Sequence, residues 1–115
     1  MKPAMKKAWV KALRSGKYRK GKAYLRRKGA KYDTYCCLGV LCDVNKVRWR
    51  SKVQWRAPDG FYIGYYKVSG AIGSLTPSRL KQFGLSHATQ NTLISANDTK
   101  GWSFNRIATW IEKNL

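Results

Sequence analysis

Residues 35–43 read Tyr-Cys-Cys-Leu-Gly-Val-Leu-Cys-Asp, an uncharged run closed by one acid in a chain otherwise crowded with lysine and arginine. From Cys36 to Cys42 every position except Gly39 offers a side chain that gains free energy by leaving water. Such a run belongs at the centre of whatever core the chain forms, and the other elements must pack around it. Cys37, Leu38, Leu41 and Val44 recur at helical spacing and Asn45 suits a helix end, so a short helix is expected. A buried strand is the competing reading of so short a run. Asp43 sits at the edge of this apolar stretch, where a carboxylate requires a hydrogen-bonding or cationic partner.

Charge is the second constraint. Against 24 Lys and Arg stand 5 Asp and Glu, for a net charge of +19. Self-repulsion on that scale opposes compaction, and the usual compensation is a polyanionic partner: nucleic acid, an anionic membrane or an acidic protein face. No run approaches the ~20 apolar residues of a membrane span, and the first 25 residues contain no uninterrupted apolar stretch of the kind a secretory signal needs. A membrane partner is therefore not expected. Three cysteines are an odd number for a disulfide framework, so buried thiols in a reducing cytoplasm are expected. The 115 residues, without internal repeat or linker, fit a single domain spanning 1–115.

The flanking segments carry their own signals. Met5, Trp9, Ala12 and Leu13 share one side of a helix whose other side holds Lys7, Lys11 and Arg14, with Gly16 as its C′ residue. Residues 17–31 are strongly cationic but contain Tyr18, Tyr24 and Leu25, and are expected to be irregular or partly extended rather than disordered. Over 47–56, Val47, Trp49, Ser51, Val53 and Trp55 alternate with Arg48, Arg50, Lys52, Gln54 and Arg56, the period of a strand. Ala57-Pro58-Asp59-Gly60 has turn chemistry, and residues 61–68 read as the return strand of a hairpin, followed by a loop over 69–74. Thr76-Pro77 is an N-cap followed by proline at N1, starting a helix that Gly84 ends. Leu93 and Ile94 suggest a further short element, residues 97–101 a loop in which Asp98 bonds locally, and Ser103 the cap of a last helix with Phe104, Ile107, Ala108, Ile111 and Leu115 in one stripe. Trp9, Trp49, Trp55 and Trp110 are assigned to the core, while the role of Trp102 stays open. The expected class is α+β: an antiparallel hairpin or small sheet packed with three or four short helices.

Catalytic and metal chemistry find little purchase. Cys36, Cys37, Cys42 and His87 contain no Cys-x-x-Cys pair, and adjacent cysteines chelate one metal poorly, so no metal site is expected. A Cys–His nucleophilic pair lacks an evident orienting carboxylate. The acids are scattered, and no glycine-rich phosphate motif occurs, so neither a cofactor nor an enzymatic activity is expected.

Trp9-Val-Lys-Ala-Leu-Arg-Ser-Gly-Lys-Tyr18 with Gly21 and Leu25, the run from Tyr35 to Asp43, Leu80, Phe83-Gly-Leu85, Leu93, Asn97-Asp98 and Ser103-Phe-Asn-Arg-Ile-Ala-Thr-Trp-Ile-Glu112 together form a pattern. In it the chain resembles a group of small bacteriophage and prophage proteins. The resemblance covers both ends, leaves the central hairpin free to vary, and implies a phage origin rather than a particular activity.

These observations lead to an expected function: a non-enzymatic, phage-encoded nucleic-acid-binding protein of the host cytoplasm, meeting DNA before RNA. Lys7, Lys11, Arg14, Lys17, Arg19, Lys20, Arg26, Arg27 and Lys28 are the candidate phosphate contacts, extended along the hairpin by Arg48, Arg50, Lys52 and Arg56, with Tyr62 and Tyr66 as candidate stacking rings. Charges on an edge strand also discourage sheet-to-sheet aggregation, but that does not account for residues 1–32, which hold more than half of the cations and no acid. No helix-turn-helix or zinc-finger spacing occurs, so sequence selectivity should be weak. The alternative is an inhibitor docking on an acidic or nucleic-acid-binding surface of a host protein such as a polymerase, a nuclease or a defence complex. A virion protein touching the packaged genome is a third reading. Oligomeric state is not legible.

Overall fold

The computed structural model describes residues 1–29, 31–56, 62–67 and 73–115, with 51–56 and 62–67 described by their backbone. The expected turn at Ala57-Pro58-Asp59-Gly60, with the role given there to Asp59, and loop positions 69–72 lie outside the described residues, as do the side chains of Trp55 and of the other residues of those two strands.

The first helix, α1, spans Pro3–Arg14. Proline occupies its first turn, where no N–H is needed, and Gly16 at φ 74° ends it in the left-handed conformation that glycine tolerates. Trp9, Val10 and Leu13 are its buried stripe. The uncharged run does form a helix, α2, over Cys37–Val44, and every residue from Cys37 to Cys42 is buried. Asn45 is its C-cap, as its position suggested. Trp9 joins the two helices: its indole Nε1 donates to the Cys37 carbonyl at 2.9 Å.

Gly39 fixes how closely α2 sits to the chain beneath it. A Cβ at this position would land on the backbone carbonyl oxygen of Leu25. The missing side chain is therefore what lets α2 lie directly on the strand region, with Leu25 fully buried below it and Cys36 N–H donating to the Leu25 carbonyl at 3.3 Å.

Residues 17–35 are more ordered than their composition suggests. They supply three short strands, β1 (Arg19–Lys20), β2 (Arg26–Lys28) and β3 (Thr34–Tyr35). The hairpin strands are β4 (Arg50–Arg56) and β5 (Tyr62–Lys67). All five form one sheet in the order β1-β3-β2-β5-β4, parallel between β1 and β3 and antiparallel elsewhere. The hairpin is thus not a free-standing pair; β5 hydrogen-bonds to β2 and draws the basic N-terminal region into the sheet.

The helical end consists of α3 (Pro77–Phe83), α4 (His87–Ile94) and α5 (Phe104–Asn114). Thr76, Ser86 and Ser103 cap these helices, each accepting from the backbone N–H three residues on, and Gly84 at φ 69° closes α3. Five α-helices are present among the described residues, and Leu93 and Ile94, expected in a further short element, lie on α4. Residues 97–99, expected in a loop, instead continue α4 through a π-helical turn, Ser95–Thr99. The polar side chains that signalled a loop bond to each other and also reach across the molecule, Asn97 to Cys37 and Gly21 and Asp98 to Ala23. On α5, Phe104, Ile107, Ala108 and Ile111 are buried and α1 packs against them, while α2 touches both α1 and α4. The fold is α+β.

Candidate nucleic-acid interface

The sheet register arranges the cations. Arg19 is opposite Thr34, Thr34 opposite Arg27, Arg27 opposite Tyr65, and Tyr65 opposite Lys52. One cross-strand row, Arg19–Thr34–Arg27–Tyr65–Lys52, therefore crosses all five strands; at ~4.8 Å per strand it spans ~19 Å. Arg19 and Arg27 are exposed. The Arg19 guanidinium lies 4.6 Å from the centroid of the Tyr32 ring, and Tyr32 is 52% exposed, the most open large hydrophobic residue among those described. Arg27 lies 5.9 Å from the Tyr24 ring. Cations held over rings keep their N–H groups directed outward, an arrangement that suits phosphate contact beside base stacking.

The neighbouring row, Lys20–Tyr35–Arg26, has the opposite character, as the alternation of a strand requires. All three residues are half-buried. Arg26 donates through Nε and Nη2 to Asp33 Oδ2, at 3.0 and 2.7 Å, and its guanidinium lies over the rings of Tyr35 and Trp49. Tyr18 meets Tyr35 edge-on at 4.9 Å. Asp43 receives the partners that its place at the edge of the core demands: the Tyr18 hydroxyl donates to it at 2.6 Å and the Trp49 indole at 3.1 Å. Burial, followed by the hydrogen bond to Asp43, holds the Tyr18 hydroxyl far above the ordinary phenol range, so it stays a donor.

The expected contact residues therefore divide. Lys7, Lys11, Lys17, Arg19, Arg27, Lys28, Arg48 and Arg50 are exposed. Arg14 pairs with Glu112 and donates to the Thr109 hydroxyl at 3.1 Å. Lys20 donates to the Asn97 carbonyl at 2.8 Å, and Arg26 is held by Asp33. Along 47–50 the alternation holds, Val47 and Trp49 half-buried and Arg48 and Arg50 exposed, although the strand proper begins at Arg50. The side chains of Lys52, Arg56, Tyr62 and Tyr66 lie outside the described residues. Their register differs from the expected grouping. Tyr66 is opposite Ser51 and Tyr62 opposite Arg56, whereas Tyr65 is opposite Lys52. An irregularity between Val53 and Trp55 also interrupts the period of two before Arg56 is reached. Counting along one strand cannot reveal this, because register depends on the turn and on any bulge.

Two positions of the candidate site and its support escaped the sequence pattern. Tyr32 carries no periodic signal, only a place beside Lys31. Asn97 gave a loop signal, yet it is fully buried: its Oδ1 accepts from Cys37 N–H at 3.2 Å, and its Nδ2 donates to the Gly21 carbonyl and to Asp98 Oδ1, both at 2.8 Å. Asp98 Oδ2 accepts from Ala23 N–H at 3.2 Å. The π-turn thus caps α2, which has no side-chain cap of its own, and pins the loop between β1 and β2.

The thiols are free and buried. Burial pushes Cys36 up to about 11 and Cys42 up to about 12, and raises Cys37 well above its ordinary value. Burial thus favours the protonated thiol over the thiolate at all three positions. His87 is exposed at the start of α4. Among the described residues no group of three or more His, Cys, Asp or Glu is placed to hold a metal ion, and no helix is long and apolar enough to cross a membrane.

A small α+β domain with a basic, aromatic-bearing sheet is the class that these features define. Residues 1–84 match the family described as Domain of unknown function (DUF8296), and the chain belongs to that family. No curated protein and no solved structure matches the sequence.

Proposed function

We propose that the protein binds nucleic acid, without catalysis, through the outer face of its sheet. The observation that carries this reading is the row from Arg19 to Lys52, which has no acid at any position and is flanked by the exposed Tyr32. Arg19 and Arg27 contact phosphates, joined along the hairpin edge by Arg48 and Arg50, with Lys28 adding charge from the end of β2; Tyr32 offers a ring to a base. Lys7 and Lys11 on α1 add to the long-range field that brings a polyanion in. Contacts of this kind fix the backbone and read little sequence. The high thiol pKa values support a binding rather than a nucleophilic role. The phage resemblance fits a protein acting in the host cytoplasm.

Fluorescence anisotropy with a labelled oligothymidylate and a labelled duplex tests the reading. With six to ten phosphate contacts, affinity falls ~10³–10⁵-fold between 50 and 200 mM salt. The double variant Arg19→Glu, Arg27→Glu binds ~100-fold more weakly, about 2.7 kcal/mol, while Arg14→Gln changes little. Affinity that barely responds to salt, or equal losses in the two variants, would overturn the proposal.

A further inference from the structure

We infer that the outer side of α5, between Trp102 and Trp110, is a docking site for an acidic peptide segment of another protein, one that carries apolar side chains between its carboxylates. A shallow cavity of about 270 Å³ opens there, lined by Trp102, Arg106, Thr109, Trp110, Lys113 and Asn114. It lies beyond residue 84, where the family match ends, and is independent of the sheet and of the nucleic-acid reading.

The tryptophans supply the first argument. Trp9 and Trp49 donate their indole N–H groups to the Cys37 carbonyl and to Asp43. Trp102 and Trp110 are half-buried against the same core, yet neither indole N–H has a hydrogen-bond partner among the described residues. Indole groups that present an apolar edge and a free donor together are typical of interfaces.

Charge supplies the second. The Arg106 guanidinium lies 4.2 Å and the Lys100 ammonium 5.5 Å from the Trp102 ring centroid, and Lys113 is exposed on the rim. The acid of this helix, Glu112, is paired with Arg14 of α1 and does not neutralise the rim. Carboxylates match these cations and the free indole donors, and an apolar side chain matches the space between the rings.

The same geometry selects among occupants. A nucleic-acid base needs an open ring face; Trp102 has two cations against its ring where Tyr32 has one, and Trp110 rests on the core, so a base finds less open ring here than at Tyr32. A second copy of the chain is a poor fit, because among the described residues the acids, Asp33, Asp43, Asp98 and Glu112, all have partners within their own molecule.

The test follows the indole N–H resonances of ¹⁵N-labelled protein on titration with three probes: a peptide alternating glutamate and leucine, one of equal length alternating glutamate and serine, and oligothymidylate. The leucine peptide should shift Trp102 and Trp110 but not Trp9, and should bind ~10-fold tighter than the serine peptide. Arg106→Glu and, separately, Lys113→Glu should each weaken it ~10-fold without altering the rest of the spectrum. Equal binding of both peptides, with shifts scattered over the basic surface, would reduce the effect to general charge attraction and overturn the inference. So would oligothymidylate moving these two indoles when the leucine peptide does not.

Discussion

Along α2 every residue from Cys37 to Cys42 is buried and none is charged. Along the cross-strand row, Arg19 and Arg27 stand exposed beside tyrosine rings, and Lys52 holds the far register position. The first region is closed by contacts from distant parts of the chain: Leu25 under Gly39, Trp9 on the Cys37 carbonyl, Asn97 on the Cys37 N–H. The second makes few such contacts. Among the described residues Lys7, Lys11, Lys17, Lys28, Arg48 and Arg50 stand exposed, and retention of such charge against self-repulsion calls for a use outside the molecule. Charge on its own is a poor guide to that use. Arg14, Lys20 and Arg26 are as cationic as Arg19 and Arg27, yet each is engaged by an acceptor of its own protein.

The separation implies that changes near α2 alter stability and leave the affinity of the folded molecule for oligothymidylate as it was. The largest effect is expected from Gly39→Ala. The new methyl group meets the Leu25 carbonyl, a backbone atom that cannot swing aside, so α2 must lift from the strand region. A loss of about 4 kcal/mol in urea unfolding is expected, large enough to leave much of the protein unfolded. A variant of near-native stability would show that α2 does not sit so close.

Asn97→Ala comes next. It removes the acceptor of the Cys37 N–H and the donor to Gly21, leaving two backbone groups without partners, for a loss of about 3 kcal/mol. Comparing the urea midpoint with the oligothymidylate affinity of the same sample checks both halves of the comparison. Should binding by the folded fraction also collapse, the two regions would not be separable.

A third expectation concerns pH. Cys36 is raised from 9.0 to about 11 by burial, so the folded state keeps its proton after the unfolded chain has released it. The resulting stabilisation is fully present below pH 9 and disappears as pH rises to about 11, a change of about 2–3 kcal/mol. Urea midpoints at pH 8 and pH 10.5 should differ less in Cys36→Ala than in the parent. An identical fall in both would place the pH dependence in the other groups whose protons burial holds, Cys37, Cys42 and Tyr18, instead.

Much of the closed region was legible beforehand. The spacing of Cys37, Leu38, Leu41 and Val44 indicated α2, Thr76-Pro77 and Gly84 bracketed α3, and Ser103 opened α5, because each signal is local. Contacts between distant segments were not. The cap of α2 comes from Asn97, sixty residues along the chain, and the role of Gly39 depends on the approach of Leu25. In the basic region the composition showed charge but not pairing. That β5 docks on β2, and that Tyr65 rather than Tyr66 is opposite Lys52, follows from a register that no window on one strand contains. The free indoles beside α5 were likewise invisible, since half-burial against a core is a tertiary property.

The smallest effect is expected where the two regions meet. Ala23, between β1 and β2, has φ 68°, and its N–H donates to Asp98 of the π-turn. This bond ties the cationic strands to the segment that caps α2, at the cost of a left-handed alanine, about 1–2 kcal/mol. Glycine at this position removes that strain and keeps the N–H, while adding freedom to the unfolded chain that offsets about 0.4–1 kcal/mol. The strain is the larger quantity, and the Ala23 side chain is exposed, so no packing is lost. Ala23→Gly should therefore raise stability by about 0.5–1 kcal/mol, seen as a higher urea midpoint at unchanged slope. A lower midpoint would mean that Ala23 is not held left-handed in solution. The junction would then be looser than the Asp98 bond requires, and the cationic strands would have to be anchored through Lys20, Gly21 and Leu25.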